Sequence, residues 1–305
     1  PRMISRLESQ ARDWAITILR DALERGECDF VQDIAYQLPM HMIADIVGIP
    51  ESDRAWLFER AHVLLLSSDP RSYLTPEERA AVRLEIYRYG QQLGAEKRRS
   101  PADDVWTLLT QAEIDQPDGT RTKLSEAELD LFFSALILAG SETTRGAIAS
   151  GLLAFSEHPD ELGRLRSDPG LFPTGVEEIL RWTSPVTYFK RTATEDVELR
   201  GMHIAAGERV VYFFPSANRD EDVFDDPFRF DVGRTPNPQV SFGGGGVHFC
   251  LGAHLARREI RVLFEELLNL VTDFEIIAEP EYGVAGIELP TTFGLKHLPV
   301  RLTPR

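Results

Sequence analysis

The stretch from Ser125 to His158 limits the architecture more than any other part of the 305-residue chain. Ser125-Glu126-Ala127-Glu128 is a capping box, in which serine and glutamate each satisfy the other's backbone N–H. Apolar residues then recur at helical spacing through Leu131, Phe132, Leu136, Ala139, Ile148 and Leu152 to Phe155, and His158-Pro159 ends the run. About thirty residues at ~1.5 Å each make a rod of roughly 45 Å, long enough to cross a whole domain. Its middle, Ala139-Gly140-Ser141-Glu142-Thr143-Thr144, is polar and holds a glycine, a composition that a buried helix normally avoids.

The flanking sequence reads as helices first and strands late. Residues 8–25 carry Ala11, Trp14, Ala15, Ile18, Leu19 and Ala22 at helical spacing and stop near Gly26. Further helices are expected at 40–47, ended by Gly48-Ile49-Pro50, and at 52–66. Another runs from the capping box at Thr75-Pro76-Glu77-Glu78 to about residue 98. Gln116-Pro117-Asp118-Gly119 reads as a turn. A short helix over 176–182 stops at Ser184-Pro185. Strands are expected at 196–199, 203–204 and 209–214, with turns at Gly201 and Gly207. An irregular stretch over 215–240, rich in Asp, Pro and Asn, precedes a last long helix near 251–270, and short apolar segments close the chain. There is no internal repeat and no βαβ alternation. The order implies a mainly α fold with small antiparallel β-sheets rather than a doubly wound sheet.

Thirty-three Lys and Arg stand against 49 Asp and Glu, a formal charge of −16. Such a chain suits neither nucleic acid nor an anionic membrane surface. The longest strongly apolar run, 131–139 broken by Ser134, is too short to span a bilayer, and no charged-then-apolar signal opens the sequence. The expectation is a cytoplasmic protein with no nucleic-acid partner and no integral membrane segment. The first residue is Pro1, so the chain is expected to be processed or a piece of something longer. Its two cysteines, Cys28 and Cys250, exclude a disulfide scaffold and a four-cysteine zinc site.

Chemistry concentrates at Phe242-Gly243-Gly244-Gly245-Gly246-Val247-His248-Phe249-Cys250-Leu251-Gly252. One cysteine follows a glycine-rich loop and opens a long helix. The positive end of the helix dipole and nearby backbone N–H groups favour anionic sulfur, the form that binds metal. Glycines let backbone approach a flat ligand closely. These are the requirements of a thiolate ligand to haem iron. Other readings exist. A lone cysteine is often only a small apolar core residue. Four glycines can cradle a phosphate, but no Gly-Lys-Ser/Thr follows. His248, Cys250 and His254 are metal-binding types, but no fourth zinc ligand is evident.

The loop resembles the cysteine-ligand signature of the cytochrome P-450 family through Gly244-x-Gly246-x-His248-x-Cys250-x-Gly252, with Phe242 one residue farther from the cysteine than in the commonest form. Ala139-Gly140-Ser141-Glu142-Thr143-Thr144 resembles the family's oxygen-activation segment, and Glu178-Ile179-Leu180-Arg181 its Glu-x-x-Arg. The resemblance covers essentially the whole chain. It implies haem (iron protoporphyrin IX) as cofactor and insertion of one oxygen atom of O2 into a C–H bond of a hydrophobic substrate. Electrons would come from ferredoxin and ferredoxin reductase.

Residue by residue, the resemblance makes Cys250 the axial thiolate and metal ligand. Phe242, Gly244 and Gly252 belong to the loop that presents it, and Ala139 and Gly140 to the helix face over the haem. Arg191 and His248 match propionate contacts. Glu142 and Thr143 match the acid–alcohol pair: Thr143 would hydrogen-bond dioxygen or its water where a loosened helix leaves a groove, and Glu142 would relay protons. Glu178, Arg181 and Arg229 would form a structural triad that locks the loop presenting Cys250. Ala135, Val186, Thr187 and Phe293 would line the substrate pocket. Arg257, Arg258 and Arg261 could be an electron donor's docking patch or a solvated face paired with Glu259 and Glu265.

Family members are usually about a hundred residues longer at the N-terminus. Residues 1–305 are therefore expected to be a single domain, the C-terminal three-quarters of such an enzyme, binding haem poorly or inactive by itself. The glycine loop, the run 139–145 and Ser216-Ala217-Asn218-Arg219-Asp220 look most like actinobacterial members that hydroxylate fatty acids, methyl-branched lipids or sterol side chains. The alternatives are a hydroxylase of a terpenoid, polyketide or xenobiotic, or a haem-free structural homologue.

Overall fold

The capping residues read from the sequence set the helix starts in the computed structural model, which describes residues 2–66, 69–72, 74–116, 118–285 and 291–305. In chain order the elements are α1 (Arg2–Arg25), β1 (Glu27–Asp29), a π-helical turn (Phe30–Ala35), α2 (Gln37–Val47), α3 (Glu51–Leu65), α4 (Pro76–Arg99) and α5 (Val105–Gln111). The short hairpin β2 (Glu113–Asp115) and β3 (Arg121–Lys123) precedes α6 (Glu126–Glu157), α7 (Pro159–Ser167) and α8 (Phe172–Thr183). Then come β4 (Tyr188–Thr192), β5 (Val197–Leu199), β6 (Met202–Ile204), β7 (Arg209–Phe213) and the single turn α9 (Phe214–Ala217). The chain ends with α10 (Ala253–Leu270), β8 (Val271–Ile276), β9 (Glu281–Ala285), β10 (Thr292–His297) and β11 (Pro299–Pro304).

Both capping boxes form: Thr75 with Glu78, and Ser125 with Glu128. The turn before β3 is closed by Gly119 N donating to Gln116 O (2.9 Å), while Pro117 lies outside the described residues. All the sheets are small and antiparallel: β1-β11-β8, and the pairs β9-β10, β2-β3, β4-β7 and β5-β6. The expected fold class holds. The structure adds elements that the sequence reading does not name, among them β1, α5, the hairpin β2–β3 and α7, and two further differences have a physical reason. Helix α1 begins before residue 8, because Leu7 already packs on the core one turn ahead of Ala11. Strand β4 was not legible, because Lys190, Arg191 and Thr192 are all exposed and it is held by its pairing with β7.

Helix α6 joins two apolar clusters. Its N-terminal half packs Phe133 and Ile137 with Met40, Leu93 and Trp106 from α2, α4 and α5. Its C-terminal half packs Ile148, Leu152 and Phe155 with Ile179 of α8 and Leu263 and Phe264 of α10. Phe155 meets the rings of Phe230 and Phe264 edge-on at 5.5 and 5.4 Å. Gly151 sets the closeness of this crossing: a Cβ there would lie 3.1 Å from Ile179 Cγ2 and 3.2 Å from Phe264 Cζ. Helix α1 is fastened across α10 by Arg12 to Glu265 (2.6 Å) and Glu266, and by Glu8 to Arg258 (2.6 Å).

One α10 carboxyl sits inside this packing with no ion-pair partner among the described residues. Burial pushes Glu259 up to about 8. Between its ordinary value near 4.5 and about 8, the unfolded chain ionises this group while the folded chain keeps the proton. Stability therefore falls as pH rises through that window, by up to ~1.4 kcal/mol per pH unit, and levels off above it. Thermal melts of Glu259→Gln against the parent are expected to show this slope removed and a higher Tm at pH 8. Parallel pH profiles would contradict the assignment.

Candidate active site

The cysteine loop leaves its sulfur open. Gly245 and Gly246 have φ of +104° and +76°, values that L side chains rarely adopt, so the chain can turn sharply there only with glycine. Neither glycine has a non-neighbouring atom near where a Cβ would stand, so the space beside the loop is clear. The Cys250 N–H donates to Phe242 O (3.0 Å), which closes the loop, and Ala253 N donates to Cys250 O (3.3 Å) as α10 starts. The Cys250 side chain is exposed. Val247, Phe249 and Leu251 around it are also exposed, at 98%, 46% and 80%. Gly244 has open space, and a Cβ on Gly252 would only graze the sulfur at 3.9 Å.

The loop is anchored through a carboxylate sealed from solvent. Glu178 and Arg181 of α8 are both fully buried. Glu178 accepts from Arg181 Nε (2.7 Å) and Nη2 (2.8 Å), Asp231 N (2.9 Å), Arg234 Nε (3.3 Å) and Asn237 Nδ2 (3.1 Å). Arg181 also donates to the carbonyls of Asn218, Pro227 and Arg229. This corrects the expected triad. Arg229 offers only its carbonyl, and its side chain is 62% exposed, 3.9 Å from Asp231. The second arginine on Glu178 is Arg234, with a 10% exposed side chain. Sequence order favoured Arg229 because it stands in Pro227-Phe228-Arg229-Phe230; the turn beyond Asp231 brings the later arginine inward.

Asn218 is a second anchor that the sequence reading missed. It is buried, and it donates to Ser184 Oγ (2.8 Å) and Ser241 Oγ (2.9 Å) while accepting from Val240 N (2.8 Å). It thus ties the end of α8 to the start of the cysteine loop. The usable signal was an amide side chain inside the quoted run 216–220, since a buried amide needs partners.

On α6, Ala135 and Ala139 are exposed and Gly140 and Thr143 are half-buried, although neighbouring positions are packed. They form one strip of small side chains along the helix. The helix is unbroken through this region: Thr143 Oγ1 donates to Ala139 O (2.9 Å), the carbonyl one turn back. The expected loosening is therefore absent, and the hydroxyl holds a backbone carbonyl. Glu142 is buried and paired with buried Arg145 rather than solvated. Arg145 Nε and Nη1 and Thr183 Oγ1 are buried with no hydrogen-bond partner among the described residues. Glu142, Arg145, Thr183, Pro185, Thr292 and Phe293 line one small open cleft. Polar atoms left over in such a cleft are the kind that water satisfies.

Val186 and Thr187 are half-buried, and Thr187 N donates to Thr291 O (2.8 Å), which brings them beside the strand carrying Phe293. Phe293 is 58% exposed and stacks on Tyr282 at 5.7 Å. Arg191 is exposed on β4, its guanidinium over the Tyr212 ring at 5.6 Å, and it faces no carboxylate among the described residues. His248 is likewise exposed. The three arginines of α10 have partners: Arg257 binds Glu177 (2.5 Å), Arg258 Glu8 (2.6 Å) and Arg261 Glu265 (2.6 Å). Of the two partners expected for that face only Glu265 takes part; Glu259 is buried, and Glu177 and Glu8 are partners that sequence spacing could not supply.

An exposed cysteine at a helix head with apolar side chains around it, a strip of small residues on a long helix, and an arginine that faces no carboxylate among the described residues are each of a kind that suits a flat, mostly apolar, anionic metal macrocycle. This architecture is that of a haem-thiolate oxygenase. A family model described as cytochrome P-450 matches residues 172–302. Cytochrome P-450 126 of Mycobacterium tuberculosis is 47% identical over 306 residues, covering 99% of this chain and 72% of that protein. The methyl-branched lipid omega-hydroxylase of the same organism is 43% identical over 98% of this chain and 69% of its own length. A solved structure, a Mycobacterium marinum cytochrome P-450 in complex with pseudoionone, is 40% identical with a TM-score of 0.88, covering 98% of this chain and 71% of that one. The chain belongs to the cytochrome P-450 family and is a haem-dependent monooxygenase.

The buried cluster makes a discriminating forecast. Arg234→Ala removes one cation from a sealed carboxylate and is expected to cost ~2–3 kcal/mol of unfolding free energy. Arg229→Ala is expected to stay within ~0.5 kcal/mol. Denaturant titration of both variants checks this, and the reverse order would restore the Arg229 triad.

Proposed function

We propose that this protein hydroxylates an unactivated C–H bond of an extended apolar substrate, a methyl-branched or straight-chain fatty acid or a sterol side chain. The overall change is RH + O2 + 2 e⁻ + 2 H⁺ → ROH + H2O. Cys250 is the proposed thiolate ligand of the haem, with Phe242, Gly244 and Gly252 shaping its loop, and Arg191 and His248 donating to the propionates. The observation that carries this reading is the open sulfur of Cys250 amid exposed apolar side chains at the head of α10. Haem supplies the oxygen chemistry when bound.

The chain's own residues do the rest. Ala135, Ala139 and Gly140 keep the α6 face low enough for a flat group and a substrate to lie against it. Thr143 is the proposed hydroxyl donor beside that face, and release from Ala139 O is what it needs to act. Glu142, held by Arg145 at the cleft with Thr183, is placed to take protons from water there and pass them inward. Val186, Thr187 and Phe293 give the substrate an apolar lining. Relatives named as a methyl-branched lipid omega-hydroxylase and a steroid C26-monooxygenase support a long apolar substrate. We assign electron supply to ferredoxin and ferredoxin reductase, which the likeness to bacterial members supports. Two free cysteines suit the reducing cytoplasm, and α6, shared by both apolar clusters, supports a single domain over 1–305.

Spectral titration of the haem-loaded protein with a methyl-branched fatty acid, a straight-chain fatty acid, a sterol and a short terpenoid tests the substrate class. A saturating shift with a lipid or the sterol is expected. Turnover under isotopically labelled dioxygen should then leave one labelled oxygen in the alcohol. Binding of the terpenoid alone would move the assignment to that class.

A further inference from the structure

Arg257 is placed to do more than neutralise a carboxylate. Its Nε donates to Glu177 Oε1 (2.5 Å) and its Nη2 to Glu177 Oε2 (3.0 Å), a two-bond fork from α10 to α8. The same guanidinium lies 4.4 Å from the centroid of the Phe242 ring, inside cation–π range. Glu177 Oε2 also accepts from Gln239 Nε2 (2.9 Å), and Gln239 Oε1 accepts from Ser241 N (2.7 Å), so the residues just before Phe242 hang on the same carboxylate. Phe242 O is in turn the acceptor of the Cys250 N–H. One planar cation therefore grips the first residue of the loop, and that residue's carbonyl grips the cysteine.

We propose that Arg257 is a positioning residue for the Cys250 thiolate, acting through the Phe242 ring and carbonyl. The inference rests on the reading of Cys250 as the haem ligand. Arginine suits this place because its flat fork can bind a carboxylate with two bonds and still present a face to a ring; a lysine ammonium keeps the charge but does neither well. The arrangement also separates this role from donor docking, since the guanidinium is already engaged and its side chain is only 30% exposed.

The test uses the haem-loaded protein with no electron donor protein present. The lifetime of the thiolate-ligated carbon monoxide complex and the reduction potential are read for the parent, Arg257→Lys, Arg257→Gln and Glu177→Gln. Arg261→Gln, whose partner Glu265 lies on the same helix, is the control. Each Arg257 or Glu177 variant is expected to lose the thiolate spectrum roughly fivefold faster, the rate equivalent of one stacked cation, and Arg257→Gln is expected to lower the potential. The control should match the parent. Parent-like lifetime and potential in folded Arg257 variants, with slower reduction only once a donor is added, would overturn the proposal in favour of docking. A parent that itself shows no thiolate spectrum would instead overturn the Cys250 reading, and this inference with it.

Discussion

Glu178 is the interaction on which the rest depends. A carboxylate cannot stay ionised inside a protein unless donors surround it, and this one takes five hydrogen bonds from Arg181, Asp231, Arg234 and Asn237. Three of those partners, Asp231, Arg234 and Asn237, sit in the irregular stretch before the glycine loop, which has little regular structure to hold it. Arg181 extends the hold by collecting three carbonyls from the same stretch. A segment rich in Asp, Pro and Asn thereby acquires a fixed shape from a two-residue device on α8. The cysteine loop inherits that shape through Asn218 and Ser241.

Helix α6 runs unbroken from Glu126 to Glu157 and carries small side chains at one place. Its two halves are gripped by different clusters, so the strip of Ala135, Ala139, Gly140 and Thr143 between them is held in position without being covered. Small residues there cost some packing, and the proposed haem site is what would use the space they leave. The buried Glu142–Arg145 pair just beyond leaves guanidinium N–H groups with no partner among the described residues. Such a pair is costly as a structural element alone, which fits a place kept polar for proton traffic.

The sequence made local features legible and long-range partners mostly not. Capping boxes at Thr75 and Ser125 and the stop at His158 depend on residues within four positions, and they marked the helix ends well. The glycine loop and Cys250 were legible because their spacing is itself the chemistry. Arg234 was not, since a turn decides which of two arginines faces Glu178. Strand β4 was hidden because its exposed Lys190-Arg191-Thr192 run carries no alternation. Glu177, partner of Arg257, lies 80 residues away from it, and nothing in either neighbourhood announces the other. The resemblance implied a loosened helix at Thr143, yet the Thr143 hydroxyl satisfies Ala139 O while the helix runs on unbroken.

The central claim is that one sulfur, on Cys250, donates to iron. X-ray absorption at the iron edge of the haem-loaded protein measures this most directly, with Cys250→Ser as the comparison. The account predicts a sulfur neighbour of iron in the parent that vanishes in the variant. An iron shell of nitrogen and oxygen alone in the parent, or a sulfur that persists in Cys250→Ser, would contradict it.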